Sequence, residues 1–516
     1  MKAEMLLKHL QDLLGASKVC SDLKTLEAHS HDYWLLDLQR RLHGKSRSLP
    51  VCVVKAETES DISSVLAFAS KESLPVVPYG AGSGVCAGAR PDAGAIVLDL
   101  RSMNQLLSVN DDALHFTVQP GMIGAELEAA LNKLGYSMGH FPQSIALSSV
   151  GGWAATRASG QYSSKYGSIE NMLVSMKVVL ADGTVIRTKN APRAAAGPNV
   201  NELFLGSEGS LGVICELTYK MHLLPEAESK CAFQFPSMSA GLEAVRRIMR
   251  AGYKPALCRL YDPYDAERHF PGIVEKGTAM LLVLCEGPAG VAAAELQGIS
   301  NLAQAWQGKS LGAKPVDTWK GRRFHIPNLQ VLAEEKGVVF DTIEVAANWD
   351  KLPRLYESVI ASLKQVPGLY VAYAHSSHSY QQGSCLYFSF AVKKENWLGR
   401  QLLQKVSGKR LGRFVKPSEI TGIEAAYHTC WQKVMEATLA CGGTIAHHHG
   451  IGKLRMPWVE DELGSSYEVL KRVKAALDPR GILNPGTLFP SSLKGSNRTV
   501  GAMPCVARTT NRGGAI

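Results

Sequence analysis

The stretch PYGAGSGVCAGA (residues 78–89) follows an apolar run, LPVVPY (74–79), that reads as a β-strand. Gly82-x-Gly84-x-x-Ala87 matches a loose dinucleotide-binding fingerprint. That fingerprint needs a helix next, so that the pyrophosphate meets a helix N-terminus. Here RPDAGA follows and then another strand-like run, IVLDL (96–100), so the fingerprint fails. Gly80, Gly82 and Gly84 would instead let successive amides turn inward as an anion-binding nest. On this segment alone two readings stay open: a phosphate-bearing ligand held without that helix, or a plain surface loop.

The rest of the chain sets the frame. With 516 residues it exceeds one ordinary domain and can build two or three cores. Hydrophobic content of 46% and charged content of 20% are those of a globular protein. The net charge of +10 is spread thinly, and its short basic clusters lack interleaved aromatics. That argues against nucleic acid and suits an anionic substrate or an acidic lipid headgroup. Eleven cysteines contain no CxxC pair, and Cys52, Cys215 and Cys285 sit in apolar runs, as reduced thiols do. There is no signal peptide, no apolar run long enough to span a membrane, and no peroxisomal address at the C-terminal Gly-Ala-Ile. A cytoplasmic location is expected.

Strands interrupted by helices run to about residue 225, including an Asp-Gly hairpin over 176–188. From 226 to 430 strands such as AMLLVLCEG alternate with long amphipathic helices, which predicts a second α+β unit. The expected division is an N-terminal helical segment (1–46), a ligand-binding domain (47–225), a cap (226–430), a C-terminal segment (431–490) and a disordered tail (491–516).

Three further glycine-rich stretches follow the first: FPQSIALSSVGGWAATRASG (141–160), APRAAAGPN (191–199) and LFLGSEGSLGVI (203–214). Four such loops in one domain imply a long, extended ligand. Together PYGAGSG, TRASG and GSEGSLGVI resemble the FAD-binding domain of the vanillyl-alcohol oxidase/PCMH flavoprotein superfamily. Within it the chain is similar to the alkylglycerone-phosphate synthase branch, with D-2-hydroxyacid dehydrogenases as cousins. The resemblance implies a two-subdomain α+β FAD-binding domain, an α+β substrate cap, and a C-terminal segment that closes the site. It implies that Pro78, Tyr79, Gly80, Ala81, Gly82, Ser83 and Gly84 wrap the pyrophosphate. Gln143, Ser144, Ile145, Ala146, Leu147, Ser148 and Ser149 would hold the rest of FAD, with Thr156, Arg157, Ala158 and Ser159. Gly206, Ser207, Glu208, Gly209, Ser210, Leu211 and Gly212 would join them. Loop 78–89 has no histidine to attack the flavin, so FAD is expected to be non-covalent.

Flavin chemistry needs an acid/base and an oriented substrate. Cys385-Leu386-Tyr387-Phe388 reproduces the context of the synthase branch's tyrosine acid/base, which points to Tyr387. His375 and His378 are expected to line the pocket rather than bind metal. GGTIAHHHGIGKLR (442–455) resembles that branch's triple-histidine stretch and assigns His447, His448 and His449 to the site. As an extended chain after a short TIA strand, His447 and His449 would share one face. The branch's substrate-binding arginine falls on Gln330, which lacks the charged bidentate grip on a phosphate. Either Arg322 or Arg323 replaces it, or the substrate lacks that phosphate.

The expected function is alkylglycerone-phosphate synthase-like chemistry: exchange of acyl for alkyl on dihydroxyacetone phosphate through a flavin N5 adduct. The alternative is an FAD-linked oxidase or dehydrogenase of a D-2-hydroxy acid or other alcohol. Expected partners are a small-molecule or lipid-derived substrate, with peripheral membrane contact and a homodimer allowed.

Overall fold

The computed structural model describes residues 3–42, 48–325, 338–393 and 417–491. Gln330 and the tail beyond Ser491 lie outside the described residues.

Residues to 223 build three sheets. The first has four strands in the order Val19–Cys20, Cys52–Lys55, Ile96–Asp99, Val76–Tyr79, the last three parallel. Helix Glu59–Glu72 makes the crossover; a Thr58/Asp61 capping box starts it and Ser73 ends it with φ 55°. The second is a five-stranded antiparallel sheet: Leu106–Asn110, His115–Val118, Val213–Lys220, Leu173–Val179, Val185–Arg187. Its last hairpin turns at Asp182-Gly183, where Leu180 N–H reaches Thr184 O at 2.8 Å. A two-stranded ribbon, Tyr136–Ser137 with His222–Leu223, ends this part.

Strands from 227 to 393 form one seven-stranded antiparallel sheet. Its order is Lys309–Gly312, Ala227–Phe235, Ala279–Gly287, Leu257–Tyr261, Leu369–Ser379, Gly383–Lys393, Val338–Asn348. Side chains alternate between the faces. Leu260, Ile343, Val345, Ala374, Leu386, Phe388 and Phe390 join one core, beneath helices Met238–Arg250, Ala289–Ala305, Leu352–Lys364 and Pro417–Ala440. Their neighbours Arg259, Thr342, Glu344, His375, Cys385 and Tyr387 therefore share the opposite face.

The C-terminal segment crosses back to the first part. Lys453 and Leu454 donate to Cys86 O, and Val76 and Asn484 link the end of the chain to the strand that enters the glycine loop. Lys474, on helix Ser465–Leu477, is buried and pairs with Asp478 at 2.6 Å while donating to Ser210 O at 2.7 Å. Among the described residues, ten cysteines are free thiols and no helix is long and apolar enough to cross a membrane.

Leu355 is fully buried between its helix and the sheet. Leu355→Ala is expected to lower stability by about 2–5 kcal/mol, measured as a denaturant midpoint shift with unchanged slope.

Candidate active site

The central strands bring Tyr387 opposite both Glu344 and His375 in register. The Tyr387 and His375 rings stack at 4.8 Å, and the Tyr387 hydroxyl meets Thr342 Oγ1 at 2.9 Å. Burial drives the Tyr387 phenol well above its ordinary pKa, so it stays protonated at neutral pH. Burial lowers His375 to about 4, helped by the positive field of Arg259. Asp265 stands behind His375, with Oδ2 3.4 Å from Nδ1. His378 enters differently. A register shift between Ser377 and Ser379 makes a bulge, and His378 takes φ 56° there, turning its ring onto His447 and His448 at 5.1 and 4.9 Å. Its Nδ1 meets Ser163 Oγ at 2.7 Å.

The triple-histidine stretch departs from the extended reading. Thr444 makes a single bridge to Ala346, and residues 445–449 form bends rather than a strand. The cause is Glu344. Its Oε1 accepts the backbone N–H groups of His447, His448 and His449 at 3.3, 3.2 and 2.9 Å, which curls the chain into a nest around a carboxylate. Arg455, fully buried, grips the same carboxylate through both Nη atoms, Nη1 at 2.7 Å, and His449 Nδ1 lies 2.8 Å from Oε2. His447 and His448 are consequently the pair, Nδ1 to Nδ1 at 2.9 Å, and His449 turns to Glu344. His447 Nε2 meets the Tyr380 hydroxyl at 2.8 Å, and the network continues through Ser168 to Ser159. Burial lowers His447 to about 4, and burial with the neighbouring His449 and His378 drops His448 well below its ordinary value.

The glycine loops meet this wall. Among the described residues, no protein acceptor takes the N–H of Gly80, Ala81, Gly82, Ser83 or Gly84. Gly82 has φ 65°, and a Cβ there would run into the Tyr79 hydroxyl. A run of unengaged amides with no room for a side chain at Gly80 or Gly82 fits a phosphate-bearing ligand. Pro78 packs beside Gly209, and Ser149 beside Gly80 while capping helix Val150–Thr156. Glu208 accepts Ile451 N–H at 2.7 Å and both its oxygens reach Gly452 N–H. Burial raises Glu208 to about 7.

Other predicted residues take more structural places. Ser148 bonds Ser144 O and Trp153 Nε1, Thr156 bonds Gly152 O, and Arg157 pairs with Glu170. Ile145, Ala158, Ser207, Ser210 and Leu211 are buried; Gly206 sits against Arg157 and Gly212 against Val178; Ala146 and Gln143 are exposed, and Leu147 is half-buried. Arg322 donates to His269 O at 2.7 Å, and Arg323 lies over Phe141, Tyr162, Trp319 and Phe324. Arg322 is thus engaged, whereas Arg323 has its Nη1 buried without a hydrogen-bond partner among the described residues. Among the described residues, one group has metal-ligand spacing: Cys385, His447 and His448, with ligand atoms within 4.8 Å of one another. Burial and then the Glu344 charge keep the Cys385 thiol protonated.

Comparison with known proteins gives this arrangement its family. Residues 224–488 match the model of the FAD-linked oxidases' C-terminal domain, and residues 50–189 match an FAD-binding domain. The chain belongs to the FAD-linked oxidase family. An uncharacterised FAD-linked oxidoreductase of Escherichia coli O157:H7, YgcU, is 33% identical over 93% of this chain and 97% of its own length. The alkyldihydroxyacetonephosphate synthase of Dictyostelium discoideum is 28% identical, over 91% of this chain and 78% of its own. A solved alkyldihydroxyacetonephosphate synthase shares the fold with a TM-score of 0.72 at 24% identity, covering 93% of this chain and 84% of that one. Solved p-cresol methylhydroxylase does so with 0.73 at 16%, covering 95% and 98%. This FAD-linked oxidase is therefore an FAD-dependent enzyme of PCMH-type fold, and the amide cradle fits the diphosphate of its cofactor.

Sequence reasoning missed the residues that organise this FAD-linked oxidase's site. Glu344 lay in the IEVAANW run, where one acid in an apolar strand was the available signal. Arg259 had no motif. Its Nε donates to Tyr261 at 2.9 Å, and among the described residues no carboxylate pairs with it.

Glu344 is held well below the ordinary carboxylate range, against burial, by Arg455 and His449. Its contribution is therefore present above the unfolded carboxylate value and lost as pH falls through the folded one. Glu344→Gln is expected to destabilise by about 3–5 kcal/mol at neutral pH, because Arg455 is left buried and unpaired. The loss should shrink in acid, read from unfolding midpoints against pH.

Proposed function

We propose that this enzyme oxidises a hydroxyl-bearing carbon of a small anionic substrate. The observation that carries the reading is the protonation pattern around Tyr387: a phenol held protonated, facing histidines held neutral. Taking a hydroxyl proton needs an unprotonated base, which a neutral imidazole supplies and a protonated phenol does not. His448 is the best placed acceptor. Its Nδ1 is engaged by His447, its Nε2 is without a hydrogen-bond partner among the described residues, and its ring is half-buried rather than sealed. Tyr387 donates to the substrate oxygen, with Thr342 Oγ1 setting its hydroxyl. Arg259, its Nη atoms free of carboxylates, holds the substrate anion. His375, pinned by Asp265, and His378, pinned by Ser163, close the wall and exclude water. Bound FAD supplies the two-electron acceptor and is held non-covalently, since loop 78–89 offers no histidine.

A second reading is redox-neutral acyl-for-alkyl exchange of the alkyldihydroxyacetonephosphate synthase kind. Cys385-Leu386-Tyr387-Phe388 and HHHGIGKLR favour it. It requires Tyr387 to abstract a proton, which burial opposes.

Anaerobic mixing of the yellow holoenzyme with D-lactate, D-2-hydroxyglutarate and related hydroxy acids should bleach the flavin and yield stoichiometric keto acid with at least one of them. Alkyl product from acyl dihydroxyacetone phosphate and a fatty alcohol, with no bleaching by any hydroxy acid, would reverse the order of the two readings. His448→Ala should slow bleaching by about 10²–10⁴-fold. Arg259→Ala should act mainly by raising KM. Because His448 is lowered, the acid limb of the rate should lie below the usual histidine range. Denaturation should release the yellow colour from the polypeptide.

A further inference from the structure

His447 and His448 meet Nδ1 to Nδ1 at 2.9 Å. Burial pushes both below the ordinary histidine range, so each ring is neutral and carries one N–H. Two ring nitrogens at that distance share one proton: one Nδ1 donates and the other accepts. The tautomers of the two rings are therefore tied together. His447 continues the chain on its other side, where Nε2 lies 2.8 Å from the Tyr380 hydroxyl. That hydroxyl reaches Ser168 Oγ at 3.3 Å, and Ser168 bonds Ser159, so Tyr380 can either accept from His447 or donate to it. His448 ends the chain: its Nε2 has no hydrogen-bond partner among the described residues and is not sealed from solvent.

Two proton arrangements satisfy this chain. In the first, Tyr380 gives its proton to Ser168 Oγ and accepts His447 Nε2–H; His447 Nδ1 then accepts His448 Nδ1–H, and His448 Nε2 is bare. In the second every proton points the other way: Tyr380 donates to His447 Nε2, and His448 Nε2 carries the hydrogen. The two are not equivalent to a substrate. Tyr387, with its phenol protonated, and Arg259 are donors. In the second arrangement a substrate hydroxyl would meet N–H and O–H donors from His448, Tyr387 and Arg259, and its own proton would find no base. The first arrangement supplies that base. It is open to Tyr380 because two serine hydroxyls stand behind the phenol to take its proton.

We propose that Tyr380 is a positioning residue: it accepts His447 Nε2–H and, acting through His447, keeps the proton of His448 on Nδ1 and its Nε2 bare toward the substrate. His447 is thereby a link rather than a second base, since both its ring nitrogens are engaged. No bond forms or breaks in this resting arrangement. The proposal rests on His448 being the acceptor of the substrate's hydroxyl proton.

The test is ring-nitrogen NMR of the FAD-loaded protein with isotope-labelled histidines, at neutral pH and without substrate. The signals of the two rings are assigned by their loss in His447→Gln and His448→Gln. Wild type should show a bare Nε2 on His448 and a protonated Nε2 on His447. Tyr380→Phe removes the acceptor and no other polar atom, and should move hydrogen onto His448 Nε2 in most molecules. The same variant should lower kcat for anaerobic bleaching by about 10-fold or more and leave KM nearly unchanged, because the base is affected and the grip on the anion is not. A wild-type spectrum with hydrogen on His448 Nε2 overturns the proposal whether or not Tyr380→Phe folds. So does a folded Tyr380→Phe whose histidine tautomers match wild type. The expected tautomers in both proteins, with His448→Ala bleaching at the wild-type rate, would remove His448 as the base and leave Tyr380 setting its tautomer.

Discussion

The buried pairing of Glu344 with Arg455 is the constraint on which the site depends. Both side chains are fully buried, and taking two charges from water costs more than their attraction alone returns. The geometry shows what else the carboxylate does. It takes three consecutive backbone N–H groups from the histidine turn, satisfying lone pairs that a lone arginine would leave open. A carboxylate so saturated stays ionised at depth, and the turn around it has one conformation. The sheet thereby dictates where His447 and His448 point, although those residues lie about a hundred positions away in sequence.

Glu208 does the mirror task from the other part of the molecule. It receives Ile451 and Gly452 N–H from the same turn, two residues past the histidines. Gly452 is required there: its φ is 54°, and a Cβ would collide with Cys86. The two glutamates nevertheless have opposite protonation preferences. Glu344 has a guanidinium in contact and falls, while Glu208 has amides alone at short range and rises under burial. One loop is thus held to the sheet by a charge and to the glycine loop by hydrogen bonds. On the proposed reading, FAD and substrate are gripped by different parts of the fold with this common wall between them.

Much of the fold was legible because period and punctuation are local. The Asp-Gly hairpin and the glycine loop that leads to a strand instead of a helix follow from residues within a few positions of one another. Tyr387 and the histidines were legible only as a resemblance. The face they share comes from strand alternation, but His378 breaks it, since a bulge with φ 56° has no glycine or proline to announce it. The pairing of His447 with His448 was unreadable for a further reason. An extended chain puts adjacent side chains apart, and only a distant carboxylate curls this one. Arg259 was silent because it is defined by what it lacks, a carboxylate partner, and lacking a partner is a property of packing.

On the proposed reading, the charge inventory of the pocket also constrains the substrate. The rings of His375, His448 and His449 stand against Tyr387, with His378 and His447 behind them; His375, His378, His447 and His448, all pushed below their ordinary value, contribute hydrogen bonds but no charge, and His449 is committed to Glu344. Arg322 is occupied by a carbonyl, and Arg323 packs among aromatic faces away from the rings around Tyr387, with its Nη1 unpaired among the described residues. Arg259 then remains as the guanidinium whose field reaches His375, His378 and Tyr387 together. Its Nε is already committed to Tyr261, so it offers the two Nη atoms as a fork. A fork of that kind matches a single carboxylate in charge and in shape. A phosphate dianion would bring a second charge into the low-dielectric wall beside Tyr387, where Arg259 is the cation whose field is felt. The absence of a ready partner for that charge is the physical reason to favour a hydroxy acid over a phosphorylated substrate.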